Sequence, residues 1–183
     1  MTLCISVSGN GSGTVGGSIA DELLPTPVYT GPMAFLNALT ERERLAWAAG
    51  FLDGDGCISS VLYTYRDGRA TPKAYRIRVD LSQNCHFTLA CVQAILGGRC
   101  YLLPVSRQSG QNRQPYQLYF TGGHAFEVLR KLCPFLIRKK REAEVCMQLW
   151  TEGQLGLRPG CAGTPPHLHE IRLKLHQRLK NLK

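Results

Sequence analysis

The chain has 183 residues, enough for one medium-sized domain with a tail but too few for two full domains. Its composition, 44% hydrophobic and 19% charged with two Trp, is that of a chain able to bury a core. A formal net charge of +9 favours nucleic acid or another polyanion as partner. No apolar run approaches the roughly 18 residues that a membrane helix needs, so no membrane association is expected.

Basic residues dominate the middle of the chain. Between Gly56 and Phe126 there are eight bases and two acids, a local charge of +6. This segment is therefore the first candidate for a surface that binds a polyanion.

Eight cysteines raise the question of zinc or disulfides, but none of them forms a C-x-x-C or C-x-x-x-x-C pair. Buried free thiols are the interpretation that fits this spacing. They predict a soluble, intracellular protein in a reducing compartment.

Two segments rich in Gly and Pro divide the chain. Residues 1–32 are predicted to be a flexible leader and residues 153–167 a linker. Between them, residues 33–152 are predicted to form the main domain, and residues 168–183 a basic C-terminal helix that grips a nucleic-acid backbone or packs on the body.

A capping box marks the first strongly predicted helix. In Thr40-Glu41-Arg42-Glu43 the Thr hydroxyl and the last Glu carboxylate each satisfy a free backbone N–H, so the helix is predicted to begin at Glu41. Gly54 and Gly56 are predicted to end it. One stripe of the helix is small and is predicted to meet a second copy at a dimer interface: Ala46, Ala49, Gly50 and Asp53.

The segments that follow alternate in the manner of strands. Apolar residues at 75, 77, 79 and 81 alternate with Arg76, Arg78 and Asp80, so one face is predicted to be core and the other charged. A second strand pair lies near residues 99–105 and 115–120. We therefore expect an α+β fold of order αββαββα with a C-terminal helix: a four-stranded antiparallel sheet, helices on one face and the other face open.

The segment Ala48-Ala49-Gly50-Phe51-Leu52-Asp53-Gly54-Asp55-Gly56 resembles the LAGLIDADG signature, with Ala48 where Leu is usual. Taken alone, its D-G-D-G ending is what a helix-to-strand turn needs. The capped small-residue helix before it and the basic strands after it favour a functional site instead. Asp55, just past the helix end, would meet its copy from a partner, and two such carboxylates suit Mg²⁺.

The resemblance to the LAGLIDADG homing endonuclease family implies roles for particular residues. Asp55 and the carbonyl of Gly54 would bind the catalytic metal, and Asp53 would be structural. Gln83, at the end of the second strand, would position the hydrolytic water. The relatives carry a basic residue a few positions later; either His86 fills that role or the role is absent.

A second segment resembles one found in single-motif, organelle-type family members that act as homodimers. It is Leu132-Cys133-Pro134-Phe135-Leu136-Ile137-Arg138-Lys139-Lys140. That likeness places Lys139 in the surround of the active site. The run of bases is also what a solvated helix face carries, and both interpretations stay open.

The open sheet face is predicted to read DNA in the major groove, which admits a two-stranded ribbon. Arg76 and Arg78 suit guanine, Asp80 cytosine and Gln117 adenine. The full set of predicted DNA-binding residues is Ser59, Val61, Tyr63, Tyr65, Arg66, Arg76, Arg78, Asp80, Arg107, Arg113, Gln117, Tyr119, Arg138 and Lys140.

The function expected from the resemblance is a homodimeric endonuclease that cuts double-stranded DNA at a long pseudo-palindromic site with Mg²⁺, or with Mn²⁺ in its place. The alternative is an RNA maturase or an inactive DNA-binding regulator on the same scaffold. No phosphate-binding loop is present, so no nucleotide cofactor is expected. A chloroplast or mitochondrion, or a bacterial or archaeal cytoplasm, is the expected location.

Overall fold

A computed structural model of the chain describes residues 31–64, 73–98, 101–106, 113–157 and 163–183. The elements in chain order are α1 (Pro32–Asn37), α2 (Glu41–Asp55), β1 (Gly56–Thr64), β2 (Lys73–Gln83), α3 (His86–Leu96), β3 (Tyr101–Pro104), β4 (Tyr116–Thr121), α4 (Gly123–Leu132), a 3-10 turn (Cys133–Phe135), α5 (Lys140–Thr151) and α6 (Pro166–Asn181). Most of the predicted leader lies outside the described residues, as do Tyr65, Arg66 and Arg107.

Helix α2 begins where its capping box predicts. The Thr40 hydroxyl accepts from the backbone N–H of Glu43 at 3.3 Å, and the Glu43 carboxylate accepts from that of Thr40 at 2.8 Å. The prediction that Asp55 lies beyond the helix is wrong, because α2 continues through Gly54 and Asp55 is its last residue. The chain turns extended only at Gly56, where a Cβ would lie 2.7 Å from the carbonyl oxygen of Leu52.

The four strands form one antiparallel sheet in the order β1-β2-β4-β3. The predicted alternation in β2 is confirmed, because Tyr75, Ile77, Val79 and Leu81 are at most 5% exposed. In the register, Arg78 lies opposite Ser59 and Asp80 opposite Tyr119, so these side chains share the second face of the sheet.

The hydrophobic core lies between the inner sheet face and the helices. Each of α2 to α5 contributes fully buried leucines or alanines that pack with Phe120 and the buried residues of β2. Helices thus cover one face of the sheet, which confirms the predicted α+β architecture. On the other face Arg76 is exposed, and Arg78 and Asp80 are partly exposed.

Helix α6 starts at Pro166, two residues before the predicted 168, and packs on the body. Leu175 and Leu179 belong to the same core as the sheet. Two of its polar side chains are also buried: Arg172 donates to the carbonyl of Gly153 at 2.6 Å, and His176 bonds the Ser60 hydroxyl at 2.5 Å. Burial, helped by the charge of Lys180, lowers the pKa of His176.

The five described cysteines are free thiols, as predicted, but the prediction that they are buried holds only for Cys91 and Cys146. Cys133 is half-buried, and Cys57 and Cys85 are exposed. Burial raises the pKa of Cys146 to about 12. Within the described ranges, no helix is both long enough and apolar enough to cross a membrane.

Candidate active site and nucleic-acid interface

The end of α2 and the end of β2 meet at one edge of the sheet. Because Gly56 pairs with Leu81 in the register, the next residues of β2 run alongside the end of α2. The amide nitrogen Nε2 of Gln83 donates to Oδ2 of Asp55 at 2.6 Å. Asp55 is exposed, so the structure brings together two predicted site residues and leaves the carboxylate open to solvent.

Asp53 has a different environment, although it lies only two residues away. Its carboxylate accepts from the backbone N–H groups of Ile137 at 2.7 Å, Arg138 at 3.2 Å and Lys139 at 2.9 Å. Burial alone would raise the pKa of Asp53, but these hydrogen bonds outweigh it and lower that pKa below its ordinary value. The structural role expected for Asp53 therefore has a physical basis, and its carboxylate is engaged within its own chain.

Lys139 is buried behind the site, with 7% of its surface exposed. Its ammonium donates to the carbonyl oxygens of Leu52 at 2.9 Å and Asp53 at 2.6 Å. Burial lowers the pKa of Lys139, and the charge of Arg138 lowers it further. A cation on the last carbonyls of a helix stabilises that end, so the contacts that Lys139 makes hold the backbone that carries Asp55.

Arg138 is a neighbour of the site that the sequence placed only among DNA contacts. Its Nη2 donates to the carbonyl oxygen of Gly54 at 3.3 Å, the atom expected to bind metal. His86, the candidate for the missing basic residue, packs its ring edge-on against Tyr116 at 5.0 Å between centroids. The run of bases after Leu136 was the signal for Arg138, but only the fold shows which of them reaches Gly54.

The open sheet face gathers most of the predicted DNA-binding residues. The Arg76 guanidinium lies 5.0 Å from the centre of the Tyr63 ring, and that of Arg78 lies 4.4 Å from the Tyr119 ring. Tyr101, which the sequence did not assign, stacks on Tyr119 at 4.8 Å. It pairs directly with Tyr119 in the register, as Leu103 does with Gln117, and both added residues are more than 40% exposed.

Three predicted DNA contacts lie away from this cluster. Arg138 and Lys140 are exposed where α5 begins, on the side of the molecule that holds the end of α2. Arg113 is exposed just before β4.

The predicted dimer stripe on α2 needs one correction. Ala49 has no exposed surface, because it packs with Ala48 and Leu52 into the core of its own chain. Ala46 and Gly50 are exposed, whereas Asp53, the fourth residue of the predicted interface, is half-buried with its carboxylate bonded within the chain. Gly54, one turn further on, is also exposed, and the exposed stripe therefore runs Ala46, Gly50, Gly54.

The space over this stripe is open within the chain. A Cβ built at Gly50 or at Gly54 would meet no atom within 4 Å. Ile137 lies two residues after the 3-10 turn, and 89% of its surface is exposed. The end of α2 thus presents a flat surface of small residues with an exposed apolar side chain near it.

An αββαββα sheet with a D-G-D-G helix end at its edge and a basic open face is the architecture of LAGLIDADG homing endonucleases, and the comparisons agree. DNA endonuclease I-CvuI of Chlorella vulgaris is 32% identical over 114 residues, which are 60% of this chain and 65% of that protein. A crystal structure of I-CvuI in complex with the I-CreI target matches with a TM-score of 0.63 and 25% identity, over 78% of this chain and 83% of that chain.

A second solved structure, the I-LtrWI LAGLIDADG homing endonuclease bound to target DNA, matches in fold with a TM-score of 0.51. It is 17% identical and covers 78% of this chain but 45% of that chain. No family model matches. The motif and these similarities agree with the resemblance to the LAGLIDADG homing endonuclease family, and the chain spans 65% of the length of I-CvuI.

Proposed function

We propose that this chain is a site-specific endonuclease that cuts both strands of duplex DNA with a divalent metal ion. The observation that carries the proposal is the Gln83–Asp55 hydrogen bond of 2.6 Å, which fixes an exposed carboxylate at the edge of a basic sheet. Its relatives in name and fold are DNA endonucleases, solved in complex with DNA targets.

The oxygen atoms at this edge fit a hard cation such as Mg²⁺, with Mn²⁺ as a substitute. Asp55 offers a carboxylate and Gly54 a backbone carbonyl, and both are ligands that Mg²⁺ prefers. When bound, such an ion stabilises the attacking and leaving oxygens of a phosphodiester. Gln83 holds the Asp55 carboxylate in place, and its own amide oxygen stays available to orient a water molecule.

A homodimer would supply a second carboxylate to this site. Mg²⁺ is commonly held by one or two carboxylates together with substrate phosphates, and Asp53 is already engaged within its own chain. The stripe Ala46, Gly50, Gly54 would let two copies of α2 approach closely and bring the second Asp55 to the same place. One LAGLIDADG motif per chain then gives one cutting centre for each DNA strand, at a roughly two-fold symmetric target.

The dimer is tested by filling the stripe. Leu at Gly50 meets open space within its own chain and replaces a poor helix former, so the monomer stays folded. We expect Gly50→Leu to sediment as a monomer and wild type as a dimer. Ala94→Leu, at an exposed position of α3, is the matched control and leaves the dimer intact. A wild-type protein that sediments as a monomer even with duplex DNA would refute the homodimer.

The open sheet face supplies the DNA contacts in this proposal. Arg76 and Arg78 would contact guanine edges and Gln117 adenine, and the observation in support is that the two guanidinium groups lie over the rings of Tyr63 and Tyr119. Arg138 and Lys140 lie on the side of the metal site and suit the backbone phosphates.

Cleavage is tested on a plasmid that carries the two genomic segments flanking this reading frame, joined together. We expect wild type with Mg²⁺ to linearise the plasmid and Asp55→Asn to leave it supercoiled. Glu127→Gln removes another exposed acid, on α4, and should keep full cleavage. Equal nicking by wild type and Asp55→Asn would exclude the metal-binding role. Binding to structured intron RNA without any DNA cleavage would favour the maturase alternative.

We also propose that the protein works in a reducing compartment. The free cysteines of the described residues agree with a reducing environment, as in a chloroplast, a mitochondrion or a bacterial or archaeal cytoplasm.

A further inference from the structure

On the open sheet face, Asp80 is already engaged by two neighbouring side chains. Its Oδ1 accepts from Nε of Arg78 at 2.7 Å and lies 2.6 Å from Nη2 of the same guanidinium. The amide of Gln117, on the adjacent strand, donates to the same oxygen at 3.1 Å. All three donors converge on Oδ1, which leaves only Oδ2 for a cytosine amino group, and with 15% of its side chain exposed Asp80 has little surface to offer a base.

Arg78 is held from a second direction as well. Its guanidinium lies over the Tyr119 ring at 4.4 Å, and Tyr119 is stacked in turn on Tyr101. The carboxylate fixes the plane of the guanidinium and the aromatic pair supports one side of it. Only 26% of the Arg78 side chain and 15% of the Asp80 side chain are exposed.

Arg76, one step along the same face, provides the contrast. It is exposed and lies over Tyr63 at 5.0 Å, and no carboxylate in the described part of the chain pairs with it. Two arginines of one strand therefore differ in how firmly they are held before any ligand binds.

The geometry of the guanidinium determines which N–H donors of Arg78 remain available to a ligand. Of its five N–H groups, Nε–H and one on Nη2 are used by Asp80, which leaves both on Nη1 and the second on Nη2. Those remaining donors form the end of the guanidinium that binds O6 and N7 of guanine as a pair. The ion pair also neutralises a carboxylate that would otherwise repel the DNA phosphates.

We propose that Asp80 is a positioning residue that holds Arg78 to read one guanine in each half of the target, and that it contacts no base itself. The proposal rests on the DNA-binding function proposed above and replaces the cytosine contact expected from the sequence. Holding the side chain in advance reduces the conformational entropy that Arg78 loses on binding, which sharpens its preference for guanine.

The test is selection from a pool of random-sequence duplexes by the full chain, with Asp55→Asn as the shared background so that DNA is bound but not cut. We expect Arg78→Gln to abolish a guanine preference at one position per half-site. Asp80→Asn and Asp80→Ala should relax the same position about tenfold, within the range of discrimination that one bidentate contact supplies. Arg76→Gln, the matched control, should relax a different position.

Affinity for the selected duplex gives a second measure. If Asp80 acts through Arg78, the double variant Arg78→Gln, Asp80→Asn should bind no more weakly than Arg78→Gln alone. A cytosine preference lost at a separate position, additive losses, or an unchanged sequence preference in the Asp80 variants would each overturn the proposal. A parent protein that enriches no sequence at all would reject the DNA-binding function itself, and this proposal with it.

Discussion

Substitution of the two aspartates of the motif should affect two different properties, the stability of the fold and DNA cleavage. Asp53→Ala removes the acceptor for three backbone N–H groups at residues 137–139, whereas Asp55→Asn alters an exposed side chain that keeps an oxygen for Gln83. We expect the first change to destabilise the fold and the second to abolish cleavage while the fold stays intact.

The magnitude follows from the surroundings of each bond. The bond to the Lys139 N–H is partly buried, and losing a hydrogen bond to a charged group in such a place costs about 2 kcal/mol. The N–H groups of Ile137 and Arg138 are near solvent, and water replaces much of each bond, which leaves about 0.5 kcal/mol apiece. Asp53→Ala should therefore lose about 3 kcal/mol of unfolding free energy, and Asp55→Asn less than about 0.5 kcal/mol.

Urea unfolding followed by circular dichroism measures these differences, with an unchanged slope as the sign that the unfolded state is the same. Asp53→Asn keeps one acceptor oxygen and should fall between wild type and Asp53→Ala. Because the pKa of Asp53 is lowered in the folded state, its contribution is complete above the ordinary value of 3.8 and is lost as the pH falls through the folded value. Equal stability of Asp53→Ala and Asp55→Asn would refute this division of roles.

Three further predictions concern other parts of the molecule. Gly56→Ala places a Cβ 2.7 Å from the Leu52 carbonyl oxygen and should cost about 1–3 kcal/mol, whereas Gly50→Ala, which meets nothing within 4 Å, should be neutral or stabilising in the same urea assay. Because burial lowers the pKa of His176, the unfolded chain takes up a proton first on acidification; wild-type stability should fall as the pH drops from about 6.5 toward the folded value, and this slope should be absent in His176→Asn. Arg138→Gln frees the Gly54 carbonyl and removes a nearby positive charge, so Mn²⁺ should bind the protein in the presence of duplex DNA about three- to tenfold more tightly by calorimetry. An unchanged Mn²⁺ affinity would show that the guanidinium does not compete with the ion.

The sequence predicts the elements around the site well, because the signals there are local. The capping box places the start of α2, and strict alternation gives the two faces of β2. The Asp55–Gln83 pair came from the family resemblance, since no spacing in the sequence reveals that residues 28 positions apart share a hydrogen bond.

The error at Ala49 has a physical cause. Residues 46 and 48–50 are all Ala or Gly, so side-chain size does not distinguish the core stripe from the exposed one. Leu52 decides between them, because a large apolar residue that is fully buried draws the residues three and four positions before it toward the core. Those residues are Ala49 and Ala48, and the exposed stripe consists of what remains.

Buried polar residues of α6 escaped prediction for a related reason. Arg172 and His176 look like solvated residues of a basic helix, since their partners are not their neighbours in sequence. Gly153 lies 19 residues before Arg172, and Ser60 lies 116 residues before His176. Only the fold supplies the carbonyl and the hydroxyl that make burying these groups tolerable.

The junction between α2 and the segment Ile137–Lys139 explains how an exposed carboxylate is kept in place. Each side satisfies the other: Asp53 accepts from the N–H groups that precede α5, and Lys139 donates to two carbonyls in the last turn of α2. The negative side chain therefore lies at the positive end of one helix and the positive side chain at the negative end of the other. Because both sets of hydrogen bonds are made within the chain, the backbone at Gly54 and Asp55 is held in place without any ligand. A substitution at Asp53 or Lys139 should therefore displace the Asp55 carboxylate although Asp55 itself is unchanged.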